Sequence, residues 1–530
     1  MGWGSLGKHW RMKCPPTYIP YVLLSLYGCP AIAKDMTLAC FSRNVEAAMQ
    51  IAACDSAISQ GKLPDDTHAL ALASRGAARH QSGDITGALA DYSESLLIVP
   101  DDLSVRLSRG LVREELNQIK EAEDDYSLVI KSTPLTKNVL LGKAYIRRGT
   151  LRLKNGNKSD GIADLGEARR FDPRNPLPFK TRGIYFLEND KIEQAIIELK
   201  QSVKLNAGDS YAQFMLGTAY LKLGQSDSAI KAFTDVLILE PENADALRAR
   251  AITYGQQENY NAAIVDYTAL LKIISTDHVS LEGRGAAFLR IGATPSAIAD
   301  FDKILTLKPN DASARFLRAN SRFQIGDAEG AVADFSAVLA RKPSDINARL
   351  GRGIARQFIS AYEDAEMDLS IILESMPDAA QPLANRGYVR VMKGDFAGAT
   401  EDLTAAMALP NAPTILVLWT YIASARAGKI KPGTLAYNTQ GMDPDQWPYA
   451  IMRYFMGDIS GDEVISAAAE NSIGATGRLC EAYFFLGQAA LIVGNKAEAR
   501  RLFEAALNTT AVRFTEYAGA KAELVRLGDK

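Results

Sequence analysis

Along most of the chain, apolar residues recur three and four positions apart, as in IADFDKILTLKP from Ile298. That spacing puts them on one face of a helix. The helical stretches come in pairs, with short turns rich in Gly, Asp and Ser between the two members: SGD at 82–84, IGD at 325–327, KGD at 393–395. The pairs also repeat. A small residue marks the first helix at Gly76, Gly110, Gly149, Gly183, Gly217, Ala251, Gly285, Ala319, Gly353 and Gly387, copies 1 to 10. Every step is 34 residues except the 39 between Gly110 and Gly149. Twelve residues after each marker comes a second small residue, from Ala88 to Ala399, and four later a bulky one, from Tyr92 to Leu403. Proline follows in seven copies, Pro100 and Pro309 among them. The expectation is two helices per copy, backbones brought close by the small residues, a bulky side chain wedged beside that contact, and proline stopping the second helix.

A 34-residue period with Gly or Ala at its eighth position, Ala at the twentieth, an aromatic at the twenty-fourth and Pro at the thirty-second resembles the tetratricopeptide repeat. The resemblance spans 69–413. It implies an all-α fold, a right-handed superhelical solenoid of about ten helix pairs, with a five-residue insertion at 137–141. Residues 414–479 lose the pattern and are read as two degenerate helix pairs. Residues 480–530 hold one more copy, with Gly487, Ala499 and Phe503 at the marker spacings, and a capping helix over 514–528 with a polar outer face. Ser460-Gly-Asp-Glu463 has capping-box spacing.

Composition adds little to this picture: 530 residues, 47% hydrophobic, 23% charged, net charge −2. No basic footprint marks a nucleic-acid partner. The N-terminus differs. KHWRMK at 8–13 precedes the apolar YIPYVLLSLYGCPAIA at 18–33, which ends in an A-x-A pattern. Residues 1–33 read as a secretory signal, with Met12 a second start, and no later run is long enough to span a bilayer. Leu26-Tyr27-Gly28-Cys29 faintly resembles a lipoprotein box with Cys29 acylated, against which stand Tyr27 and Pro30. After export, Cys40 and Cys54 read as a disulfide stapling a capping segment, 34–68; two unpaired buried thiols are the alternative. Cys480 reads as core.

For chemistry, His9, His68, His80 and His278 are isolated, and no catalytic motif or metal-ligand spacing occurs. No cofactor is expected. NGNKSDGIADLGE at 155–167 departs from a calcium loop at its glycine and its twelfth position, and reads as an inter-helix turn. Arginine precedes the marker in nine copies, and an acid follows sixteen residues later in nine: Arg75 with Asp91, Arg284 with Asp300, and so on to Arg386 with Asp402. Copy 5 lacks both, having Leu216 and Ala232. The shared loss predicts a salt bridge between the helices of each copy, worth ~0.2–1 kcal/mol where exposed. The rival is an arginine ladder for an acidic ligand.

In repeats of this family the inner face of the first helices lines a concave groove. The positions that the resemblance assigns to it include Tyr211, Phe214, Arg248, Phe316, Asn320, Phe323 and Tyr388. Aromatic and arginine side chains commonly anchor protein interfaces; the alternative is that several pack between copies. WPYAIMRYFMGDIS at 447–460, with LCEAYFFLGQAALIVGNKAEARRLFEAAL and FTEYAGAKAEL, resembles the C-terminal part of NlpI-type bacterial envelope repeat proteins. That family's role implies an adaptor for envelope hydrolases and proteases. The expected function is therefore a non-catalytic, exported protein-binding scaffold. The alternatives are a cytoplasmic assembly scaffold and an enzyme with its site in 414–479.

Overall fold

The computed structural model describes residues 38–42, 45–136, 138–430, 433–470 and 474–528. The signal at 1–33, Met12, Cys29 and the first residue of the 137–141 insertion lie outside these. The fold is all-α, built of consecutive antiparallel helix pairs. The chain divides into two compact units, one up to Leu239 and one from Glu240 onward.

The first unit holds a leading helix, Ala47–Ser59, and copies 1 to 5. Cys40 and Cys54 are fully buried, with their sulfurs 2.11 Å and their Cα atoms 4.7 Å apart. Asp55 of the leading helix meets Arg75 of copy 1 at 2.7 Å. The second unit holds copies 6 to 10, then Leu416–Arg426, Thr434–Asn438, Tyr449–Met456 and Gly461–Ala469, then Ala475–Ile492 with Lys496–Asn508, and finally Thr515–Arg526. The four helices within 414–479 are short, as a degraded pattern implies. Ser460 and Glu463 form the expected capping box. Cys480 is fully buried, and burial pushes its thiol up to about 12.

The wedge is seen in copy after copy. A Cβ on Gly217 would stand 2.6 Å from the Phe233 ring; on Gly110, 2.5 Å from Tyr126; on Gly387, 2.5 Å from Leu403. The facing alanines, Ala88, Ala229 and Ala399 among them, are fully buried. The turn inside each pair puts one residue in the left-handed region seven positions after the marker. It is glycine in six copies, as at Gly83 and Gly326, and Asn117, Asp190, Glu258 or Ser360 in the others. Glycine adopts this backbone at least cost, and asparagine or aspartate tolerates it better than most residues.

All nine expected arginine–acid pairs form. In eight the guanidinium grips both carboxylate oxygens. Arg318, for example, donates through Nε at 2.8 Å and Nη2 at 2.6 Å to Asp334. The acids are buried, so the exposed-pair magnitude does not apply. Removing one partner of such a pair costs about 3–5 kcal/mol, because the other charge is left uncompensated. The same arginine reaches further. Its Nη1 donates to the second helix of the preceding copy in Arg148 to Ser127 (3.0 Å), Arg284 to Thr268 (3.0 Å), Arg352 to Ser336 (3.3 Å) and Arg386 to Ser370 (3.1 Å). One side chain thus ties three helices.

A second arginine, four residues on, shares the acid in six copies: Arg79, Arg113, Arg152, Arg322, Arg356 and Arg390. Copies 4, 6 and 7 have an aromatic there, and the first arginine lies over its ring: Arg182 on Phe186, Arg250 on Tyr254, Arg284 on Phe288, at 5.6–5.9 Å. Hydrogen bonds to the acid raise the pKa of Arg75, Arg250, Arg318 and Arg386 above the ordinary value.

Copy 4 is the imperfect case. Its acid is Glu198, one methylene longer. Only Nη2 of Arg182 reaches it, at 3.2 Å, and both Arg182 Nε and Glu198 Oε2 are buried with no hydrogen-bond partner. There burial outweighs the acid, and the pKa of Arg182 falls.

Two substitutions test this packing. Gly217→Ala places a methyl group into Phe233 and is expected to destabilise the first unit by about 1–3 kcal/mol in thermal melts. Glu198→Asp restores the two-oxygen geometry of the other copies and is expected to stabilise it by about 1 kcal/mol on the same assay.

Candidate protein-binding surface

The arginine ladder offers no free site. The nine guanidinium groups each face a carboxylate of their own copy, which argues against the acidic-ligand reading. What remains is the face of the first helices.

The structure distributes the seven expected groove residues between the two units. In the first unit, Tyr211 stands 53% exposed on Ser210–Lys222. Phe214, one turn on, is half-buried with its ring 5.6 Å from Phe233. In the second unit, Arg248 bridges Asp245 (2.9 Å) and Asp277 (3.0 Å), the latter capping the first helix of copy 7. Phe316 packs edge-on against Phe335 at 5.7 Å, and Asn320 donates to the Phe316 carbonyl at 3.1 Å. Phe323 meets Phe358 of the next copy at 5.1 Å. Tyr388 packs tilted against Trp419, ring centres 4.8 Å apart, and burial raises its pKa. Six of the seven are therefore engaged within the array, and Tyr211 is the one that presents an open ring.

Sequence reasoning missed the residues that share Tyr211's place. Six positions before the marker stand Leu70, Leu177 and Val279, all exposed. Ile252, just after its marker, is exposed as well. Leu70, Leu177 and Tyr211 belong to the first unit, Ile252 and Val279 to the second. The signal was available as an apolar side chain at one repeat position that the fold does not bury. A search for aromatic rings and arginines passes over it.

In 414–479, Asp443 accepts from the Asp445 backbone N–H at 3.0 Å, and Glu463 closes the capping box, where hydrogen bonds from Ser460 hold it below the ordinary carboxylate range. A polar cleft of about 470 Å³ is lined by Trp447, Arg453, Glu463, Glu470 and Arg478. Arg478 is engaged there with the carbonyls of Ala468 (3.1 Å) and Glu470, ending Gly461–Ala469. Residues 158–167 of the calcium-like stretch lie in the helix Lys158–Phe171, entered from a left-handed Gly156.

A family model, tetratricopeptide repeat, matches residues 214–278 and 282–346. Among curated proteins, the chain is 36% identical over 118 residues to the lipoprotein NlpI homolog of Haemophilus influenzae. That match covers 21% of this chain and 37% of the relative. It is 27% identical over 105 residues to superkiller complex protein 3 of Mus musculus, covering 20% of this chain and 7% of that one. The chain thus spans well under half the length of either relative. Among solved structures, a tetratricopeptide repeat protein from Parabacteroides merdae is 19% identical with a TM-score of 0.34, over 46% of this chain and 97% of that one. YrrB, described as a TPR protein with an unusual peptide-binding site, is 19% identical with a TM-score of 0.32, over 36% of this chain and 95% of that one. The family match falls on copies 5 to 8, whose markers and wedges are all on view, so the chain carries tetratricopeptide repeats over 214–278 and 282–346.

Proposed function

We propose that this chain is an exported scaffold of the bacterial envelope, which holds segments of other proteins against the face of its first helices. Tetratricopeptide-repeat proteins are protein-interaction scaffolds. The observation that carries the reading here is the set of exposed apolar side chains on first helices, Leu70, Leu177 and Tyr211 in the first unit and Ile252 and Val279 in the second. It stands beside arginines that are already neutralised. A surface of this kind favours apolar side chains of an extended or helical segment over a charged ligand.

Export rests on the basic-apolar-small pattern of 1–33 and on the Cys40–Cys54 geometry, since structural disulfides persist in oxidising compartments. No helix among the described residues is long and apolar enough to cross a membrane. The partial similarity to a protein named as a lipoprotein favours a second reading of the address, in which Cys29 is acylated and anchors the scaffold. Envelope hydrolases and proteases are the proposed partner class.

A photo-crosslinking residue at Tyr211 or Val279, in cells that produce the chain, is expected to give discrete adducts with envelope proteins. The same residue at Ile197, exposed on a second helix, is expected to give few. Equal labelling from all three positions, read by mass spectrometry, would remove the first-helix face from the proposal.

A further inference from the structure

The terminal helix, Thr515–Arg526, does more than cap the array with a polar outer face. It turns back onto the first helices of copies 9 and 10, Ile346–Phe358 and Ala380–Lys393, and packs on its other side against Ala475–Ile492. Arg526 donates to the carbonyls of Met392 (2.6 Å) and Val391 (3.2 Å), satisfying the end of the copy 10 helix. The chain's own last helix therefore occupies a stretch of repeat face that is open elsewhere.

Two acids fasten this helix, and their surroundings differ. Glu523 has two arginine partners. It accepts from Arg426 at 2.9 Å and Gln488 at 3.0 Å and is paired with Arg526. Glu516, two turns earlier, is equally buried but receives the indole N–H of Trp419, at 2.9 Å, in an aromatic box. Tyr388 lies 4.8 Å and Phe484 4.9 Å from that indole.

The titratable groups around Glu516 bring it no cation. Ala475–Ile492 contributes Cys480 and Glu481, and copy 10 contributes Tyr388. Glu481 is itself a half-buried acid, held by the Trp447 indole with Arg478 nearby. Arg426 serves Glu523, Arg500 of Lys496–Asn508 donates to the Leu527 carbonyl, and Arg356 of copy 9 serves Asp368. On the helix itself Lys521 is exposed. Among the described residues none of these cations pairs with Glu516. A cleft of about 310 Å³, between Tyr517 and Lys521 and the copy 8 turn at Gly326, opens the edge of the docked helix to solvent.

We infer that the terminal helix is a proton-dependent latch, docked on copies 9 and 10 while the Glu516 carboxyl is neutral and loosened when it ionises. Burial, with Glu481 adding to it, holds that carboxyl up at about 7 against an ordinary 4.5. The sign follows. Between those values the undocked helix gives up its proton first, so docking weakens as pH rises, by at most about tenfold per pH unit. Below about 4.5 and above about 7 Glu516 adds no slope. Release would bare Phe358 and Tyr388 and lengthen the repeat face available to a partner.

Hydrogen exchange of the full chain at pH 5 and pH 8, corrected for intrinsic rates, tests this directly. Protection in 515–526 is expected to fall at least tenfold more than protection in His278–Arg290 of copy 7. In Glu516→Gln, whose amide oxygen still accepts from Trp419, protection in 515–526 is expected to hold across the range. Equal changes in the two segments of the native chain would overturn the latch. So would the same fall in Glu516→Gln, or a Glu516→Gln chain already unprotected in 515–526 at pH 5.

Discussion

A carboxylate buried between two close-packed helices has to be neutralised where it stands, and in nine copies of this chain the arginine before the marker does so, joined in six by a second. The constraint begins with backbone approach. Gly or Ala at the marker and a small residue on the facing helix bring the two axes together, and a ring or a leucine fills the space beside them. The acid, one residue before that wedge, is then sealed from water. Its charge is tolerable because the guanidinium fork matches both of its oxygens. A third bond to the preceding copy turns a contact within one copy into a contact between copies, which is how a solenoid gains stability. Copy 5 reaches the same packing with Leu216 and Ala232 and no charge at all.

This use of charge shapes the surface. Arginines that could have formed an anion-binding stripe are neutralised inside the copies. The first-helix face keeps scattered apolar side chains and a few cross-copy pairs such as Lys180 with Asp209 and Arg248 with Asp277. That is the surface proposed to hold segments of other proteins. The second unit also carries its own occupant in the terminal helix, held by Glu523 and Arg526 at one end and by Glu516 at the other.

Much of the fold was legible because the repeat supplies its own internal comparison. Period, pairing, wedge and bridge all show as residues that change together. In copy 5 the arginine and the acid are both gone, replaced by Leu216 and Ala232, and that joint loss pointed to contact before any distance was known. The second arginine was legible too, as an Arg-x-x-x-Arg spacing in six copies, but the marker alignment drew the eye to the first. Burial of the acids was not legible, since a period fixes phase and not depth. Tyr388 shows the harder limit. Its repeat position marks it for the open face, yet Trp419 and the terminal helix cover it. Arg526 and Val391 are 135 residues apart, and no local pattern encodes their meeting. The exposed apolar position was missed because Leu70, Leu177 and Val279 look like core residues in sequence.

The bridge can be tested where one arginine makes all of it, in copy 7, which has no second arginine on its acid. Arg284 donates to Asp300 at 2.9 and 2.6 Å and to Thr268 at 3.0 Å. The measurement is the local opening free energy of 278–307 by native-state hydrogen exchange, in Arg284→Leu, Asp300→Ala and the two combined. Arg284→Leu alone is expected to cost about 3–5 kcal/mol, since Asp300 is left charged and buried. The double substitution reproduces the pair found in copy 5 and is expected to recover more than half of that loss. A double variant as unstable as the sum of the singles, or a single that costs less than about 1 kcal/mol as an exposed pair would, would contradict the bridge as the constraint that holds the array.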